Sequence, residues 1–150
     1  MEKSKLRILV LVVFVGLISV GYLAFTRITS DNTNDKSKII EQNISELNNT
    51  NIIAKFSDIT PFDWDKAFII EDPFLYEEAI DKLVGAKCNL DRLETDIKRR
   101  IVFVNEGKFV FDYIYDIRDY MYNYQTIELT TSSSIFVENG TGGKLVLKIE

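Results

Sequence analysis

Phe62-Asp63-Trp64-Asp65-Lys66 concentrates more chemistry than any other stretch, because the only tryptophan of the chain stands between two carboxylates and ahead of an apolar run. An indole with acceptors on either side can stack on a sugar or peptide, with Asp63 and Asp65 as polar contacts. The same residues also suit an inert arrangement, with Trp64 packed beneath a following helix and both aspartates in water. In an extended segment the two carboxylates share a face at roughly 6–7 Å. A glycosidase pairs two carboxylates, but many inert surfaces share this spacing, and it assigns no acid and base here. Five of the seven tyrosines form a second group: Tyr113, Tyr115, Tyr120, Tyr122 and Tyr124. Alternate strand positions share a face, so each group projects its rings together. Such a ladder is either a platform for glycan or protein, or cross-strand packing. The candidate binding residues are therefore Trp64, Asp65, Tyr113, Tyr115 and Tyr122, and no catalytic or metal-ligating residue is assigned.

Other motifs carry less. The chain has no histidine, which removes Ser-His-Asp and Cys-His catalysis and imidazole-ligated zinc. Cys88 is the lone cysteine, so it closes no internal disulfide and reads as a small buried apolar residue. Lys98-Arg99-Arg100 is the only basic run; it fits a grip on anionic polymer or headgroups, or a solvated strand start. Gly140 to Lys144 resembles a phosphate loop only superficially, since Leu145 stands where Ser or Thr is required and a strand follows. Ser132-Ser133-Ser134 has no base to activate it. No cofactor is expected.

The elements that must position these residues follow an apolar front. Ile8 to Phe25 is eighteen residues without a charge. As a helix it covers ~27 Å, close to the ~30 Å hydrocarbon core of a bilayer. Lys3, Lys5 and Arg7 precede it, so the positive-inside rule places residues 1–7 in the cytoplasm and the remainder outside. The rival reading is a cleaved secretory signal, with Ser19-Val20-Gly21 at the cleavage site, and a secreted product. Setting aside Lys3, Lys5, Arg7 and Glu2 leaves 15 of the 18 basic and 22 of the 23 acidic residues, a net charge of −7. A nucleic-acid partner is therefore not expected. The expected partners are the lipid bilayer, through residues 8–25, and a protein of the envelope.

Residues 26–51 read as a tether, polar from Thr26 to Ser37. They include a short amphipathic helix from Lys38 to Leu47, where Ile39, Ile40, Ile44 and Leu47 recur at helical spacing. Residues 52–150 form the expected folded domain. Pro73 to Val84 is the clearest helix, with Asp72 as N-cap and Gly85 as its stop. A hairpin joins Arg100–Val104 to Lys108–Tyr115 through the three-residue loop Asn105-Glu106-Gly107. Further strands are expected at Lys66–Ile70, Gln125–Thr130, Ile135–Glu138 and Lys144–Ile149. The class is α+β: one antiparallel β-sheet of about 4–6 strands with one or two helices on one face, preceded by a single N-terminal transmembrane helix.

The succession from Ile59-Thr60-Pro61 through Asp63-Trp64-Asp65-Lys66 to Ile70, the Glu77-Glu78-Ala79-Ile80 helix ending at Gly85, and the Ile101–Val104 and Ile135–Val137 strands carry a resemblance. Over roughly residues 55–137 the chain resembles a family of uncharacterised small bacterial envelope proteins, membrane-anchored or secreted, with one compact domain. The resemblance implies no activity, cofactor or site residue. The expected function is a single-span, membrane-anchored extracytoplasmic protein, non-enzymatic and acting through protein contacts. The alternatives are a binder of wall glycan or small ligand through Trp64 and the Tyr113–Tyr124 ladder, and an immunity protein.

Overall fold

The computed structural model describes residues 33–50, 52–122 and 127–150. The chain divides into two units, Met1–Asp35 and Lys36–Glu150, and the second carries everything below except residues 33–35, the first three of the first helix. The cytoplasmic tail and the span expected at 8–25 lie outside the described residues. No helix among the described residues is long and apolar enough to cross a membrane.

The class is α+β, built among the described residues from two α-helices and two four-stranded sheets. Helix α1 occupies residues 33–50, longer at both ends than the expected Lys38–Leu47. Ile40 and Ile44, one turn apart, are buried, and the Asn43 amide donates to the Ile59 carbonyl at 3.1 Å. Most helical stability in a folded protein comes from packing an apolar face, and these tertiary contacts supply it here. Strand β1 (Ala54–Lys55) runs into a 3-10 turn, Phe56–Ile59, and then β2, Lys66–Ile70. Helix α2 spans Glu77–Val84 and begins later than its expected start at Pro73. The Asp72 carboxylate accepts from the Phe74 N–H at 2.9 Å, a local turn that competes with helix, and Tyr76 becomes the N-cap in an extended conformation. Gly85 ends the helix at φ 73°, in the left-handed region where a side chain is strained.

Strands β3 (Lys98–Asn105) and β4 (Lys108–Asp116) form the expected hairpin, but its loop has two residues rather than three. Glu106 and Gly107 both take positive φ, 51° and 70°, as a turn matching the strand twist requires. The bulge lies inside the ladder instead, where Phe103 pairs Phe111 and Val104 pairs Phe109. Then follow β5 (Tyr120–Tyr122), β6 (Ile127–Thr130), β7 (Ser134–Asn139) and β8 (Leu145–Ile149).

The single expected sheet is corrected to two, in the orders β4-β3-β2-β6 and β1-β7-β8-β5. The first is antiparallel throughout, whereas β5 runs parallel to β8 in the second. Isolated strand patterns carry no record of which sheet a strand joins. The continuous apolar run Ile101-Val102-Phe103-Val104 marks the reason the first sheet is central, since both its faces are covered. Ala67, Ile69, Ile101, Phe103, Phe111, Tyr113 and Leu129 face inward, where they meet Ile135, Val137, Leu147 and Ile149 of the second sheet and Ile40 and Ile44 of α1. On the outer face Phe68, Ile70, Val102 and Val104 meet Ile80 and Val84 of α2, with Ala86 and Cys88 beyond.

Candidate functional site

Trp64 does not pack beneath α2, as the inert alternative had it; it belongs to the core between the sheets and is only 5% exposed. Its ring meets Phe56 edge-on at 6.0 Å and Phe103 at 5.3 Å, and its Nε1–H donates to the Thr60 hydroxyl at 2.8 Å. The indole therefore has its polar atom satisfied and its faces against other rings. A groove of about 400 Å³ opens beside it, lined by Ser57, Thr60, Pro61, Phe62, Asp63 and Thr131 as well. The Phe62 ring carries the Lys36 ammonium 5.4 Å from its centroid, so that face is also taken. Asp65 is exposed and accepts the Glu106 N–H through Oδ2 at 2.9 Å. That bond holds the strained turn residue, and it places Asp65 at the β3–β4 hairpin rather than in the groove.

Tyr113, Tyr115 and Tyr122 lie together and are all buried. Tyr113 stacks on Tyr115 at 6.1 Å, and Tyr115 meets Tyr122 edge-on at 4.9 Å. Burial pushes all three phenols well above their ordinary range. The Tyr115 hydroxyl donates to Glu71 at 3.4 Å, whereas those of Tyr113 and Tyr122 are enclosed without a partner. No ring of the three offers a face to solvent. Trp64, Asp65 and the tyrosines do not converge on one cavity.

Two groupings stand out on the other face of the first sheet. The first is an apolar ridge on α2. Tyr76, Ala79 and Leu83, at positions i, i+3 and i+7, share one side of the helix, and all are exposed, Tyr76 to 64% and Leu83 to 40%. Phe74, 48% exposed, precedes them, and the Arg92 guanidinium lies 5.7 Å from the Tyr76 ring centroid. The helix thus carries an apolar arc wider than the stripe that Ile80 and Val84 bury.

The second is the pair Arg100 and Asp112, from adjacent strands β3 and β4. The side chain of Arg100 is 5% exposed, and its Nε lies 3.8 Å from Asp112 Oδ1, too far for a hydrogen bond. Arg100 Nη2 donates to the Asp91 carbonyl at 2.8 Å, while Arg100 Nη1 and Asp112 Oδ1 are enclosed without partners. Burial pushes the Asp112 carboxyl up to about 6, with Arg100 pulling the other way. Beside the pair is a cavity of about 350 Å³ lined also by Leu90, Leu93, Lys98 and Ile114.

Sequence reasoning missed both. Arg100 belongs to a basic run read as one unit, although strand alternation separates it from Arg99 and turns it under the residues that follow α2. The available signal for Asp112 was a single carboxylate inside Phe109-Val110-Phe111-Asp112-Tyr113-Ile114-Tyr115. Among the described residues no group of three or more His, Cys, Asp or Glu could hold a metal ion. No family model, no curated protein and no solved structure matches this chain.

Proposed function

We propose that the protein is a membrane-anchored extracytoplasmic module of the cell envelope that works by binding another protein, with the α2 ridge as its contact surface. The observation carrying this reading is the exposed apolar row Tyr76, Ala79 and Leu83, with Phe74 beside it. Large apolar side chains gathered in one place mark contact surfaces, whereas scattered ones do not. A tyrosine with an arginine over its ring, as Tyr76 has in Arg92, pairs two of the residue types enriched at interface anchors. The anchoring half rests on the Ile8–Phe25 run and the cations ahead of it.

A photoreactive amino acid placed at Leu83 in living cells tests the contact, with Glu138 on the second sheet as the control position. Adducts of one defined mass at Leu83 alone are expected; none at Leu83, or equal adducts at both, would refute the ridge as the contact surface. A periplasmic-type reporter enzyme fused after Glu150 tests the topology. It is expected to be active only outside the cytoplasm, and activity confined to the cytoplasm would defeat the anchored reading.

A further inference from the structure

Residues 85–97 are neither helix nor strand, yet they are fastened at several points across the outer face of the first sheet. The Leu93 N–H donates to the Pro73 carbonyl at 2.7 Å, and the Cys88 N–H to the Asp81 carboxylate at 2.7 Å. The Cys88 and Leu93 side chains of this strap are buried, and the Asp91 carbonyl is held by Arg100. The Arg100 fastening stands on a poor foundation, because Arg100 and Asp112 are both withdrawn from water without a hydrogen bond between them. A buried ion pair of such geometry does not recover the cost of its own desolvation.

We propose that Asp112 makes the strap proton-responsive: ionised Asp112 loosens residues 85–97 at neutral pH, and its protonation tightens them. The sign follows from linkage. A carboxyl that burial raises to about 6 binds its proton more tightly with the strap closed than in water, so acidification favours the closed form. The charged groups around the pair come from every neighbouring element. Lys98 and Arg100 belong to β3, and Asp91, Arg92 and Glu94 to the strap. Asp81 of α2 and the Cys88 thiol complete the set, the thiol staying neutral because burial raises it to about 11.

The proposal rests on the ridge reading only for its consequence. Arg92 stacks on Tyr76 and Leu93 is tied to Pro73, so loosening the strap frees the segment that carries Phe74 and Tyr76. The strap would then adjust how the ridge is presented, opening it at neutral pH.

Hydrogen exchange on the full-length chain in detergent, followed by mass spectrometry at several pH values, tests this without any partner. After correction for intrinsic exchange, protection of residues 86–97 is expected to rise roughly tenfold from pH 7.5 to pH 5, the rise setting in near pH 6 and continuing below 5, with no change in β2 or β3. Asp112→Asn is expected to show the acid level of protection at pH 7.5 and no pH dependence. Constant protection, a fall on acidification, or a transition that persists in Asp112→Asn would overturn the proposal. So would failure of Asp112→Asn to fold, since the ionised form would then be the one the fold requires. Cross-linking at Leu83 is read separately, so the two readings fail independently.

Discussion

The two faces of the β4-β3-β2-β6 sheet are covered in different ways. The inner face meets a second sheet, helix α1 and a nest of rings in which Phe103 touches Phe56, Phe62, Trp64 and Phe111. The outer face has an eight-residue helix and a strap. Rings packed from both sides leave little room for alternative arrangements. A thin cover leaves apolar surface exposed and tolerates a charged pair that the inner face has no room for. The lesson is that stability and responsiveness are segregated across one sheet. Residues that look chemical in the sequence, Trp64 and the tyrosines, serve the rigid side.

Breaking the inner face should cost most. Phe103→Ala is expected to lose about 3–5 kcal/mol, because a fully buried ring leaves a cavity its neighbours cannot fill. Ile80→Ala on the outer face should lose about 2–3 kcal/mol, the low end for a buried aliphatic, since the thin cover can collapse. Urea denaturation of both variants compares the faces, and an equal or reversed order would remove the distinction.

Asp112→Asn sharpens it through pH. The raised carboxyl makes the ionised form a burden above pH 6, so stability should rise as pH falls from 7.5 through 6 toward 4. The variant should gain about 1–3 kcal/mol at pH 7.5 and flatten that dependence. Denaturation at pH 7.5 and 5 reads both effects. Tyr113→Phe is expected to be neutral or to gain up to about 1 kcal/mol, because it removes an enclosed hydroxyl that has no partner. A clear loss would show that the hydroxyl is satisfied after all. Leu83→Glu should change stability least, within about 0.5 kcal/mol, while removing the adduct formed by a photoreactive residue placed at Ala79 on the same ridge.

Much of the frame was legible. The apolar spacing of Leu75, Ala79, Ile80, Leu83 and Val84 marked α2, and Asn105-Glu106-Gly107 marked the hairpin though one residue too long, because both are local signals. What the residues could not show was long-range. Ile135–Val137 reads as a strand whichever sheet it joins, and Trp64 lies four residues from Thr60, which takes its indole hydrogen, yet its main neighbours, Phe56 and Phe103, belong to separate segments. Tyr113 and Tyr115 do share a face, with Tyr124 of the expected ladder outside the described residues, but alternation does not reveal whether that face meets water or another sheet. The Arg100 and Asp112 relation was hidden for the same reason, since only the pairing of β3 with β4 brings the two together.

Hydrogen exchange resolved to single amides, measured on the full-length chain at pH 7.5, tests the segregation most directly. Amides of residues 77–97 are expected to open at lower free energy than those of Ile101 to Val104, in a local event that leaves β3 protected. Exchange of both sets together, at the free energy of global unfolding, would contradict it and make the two faces one cooperative body.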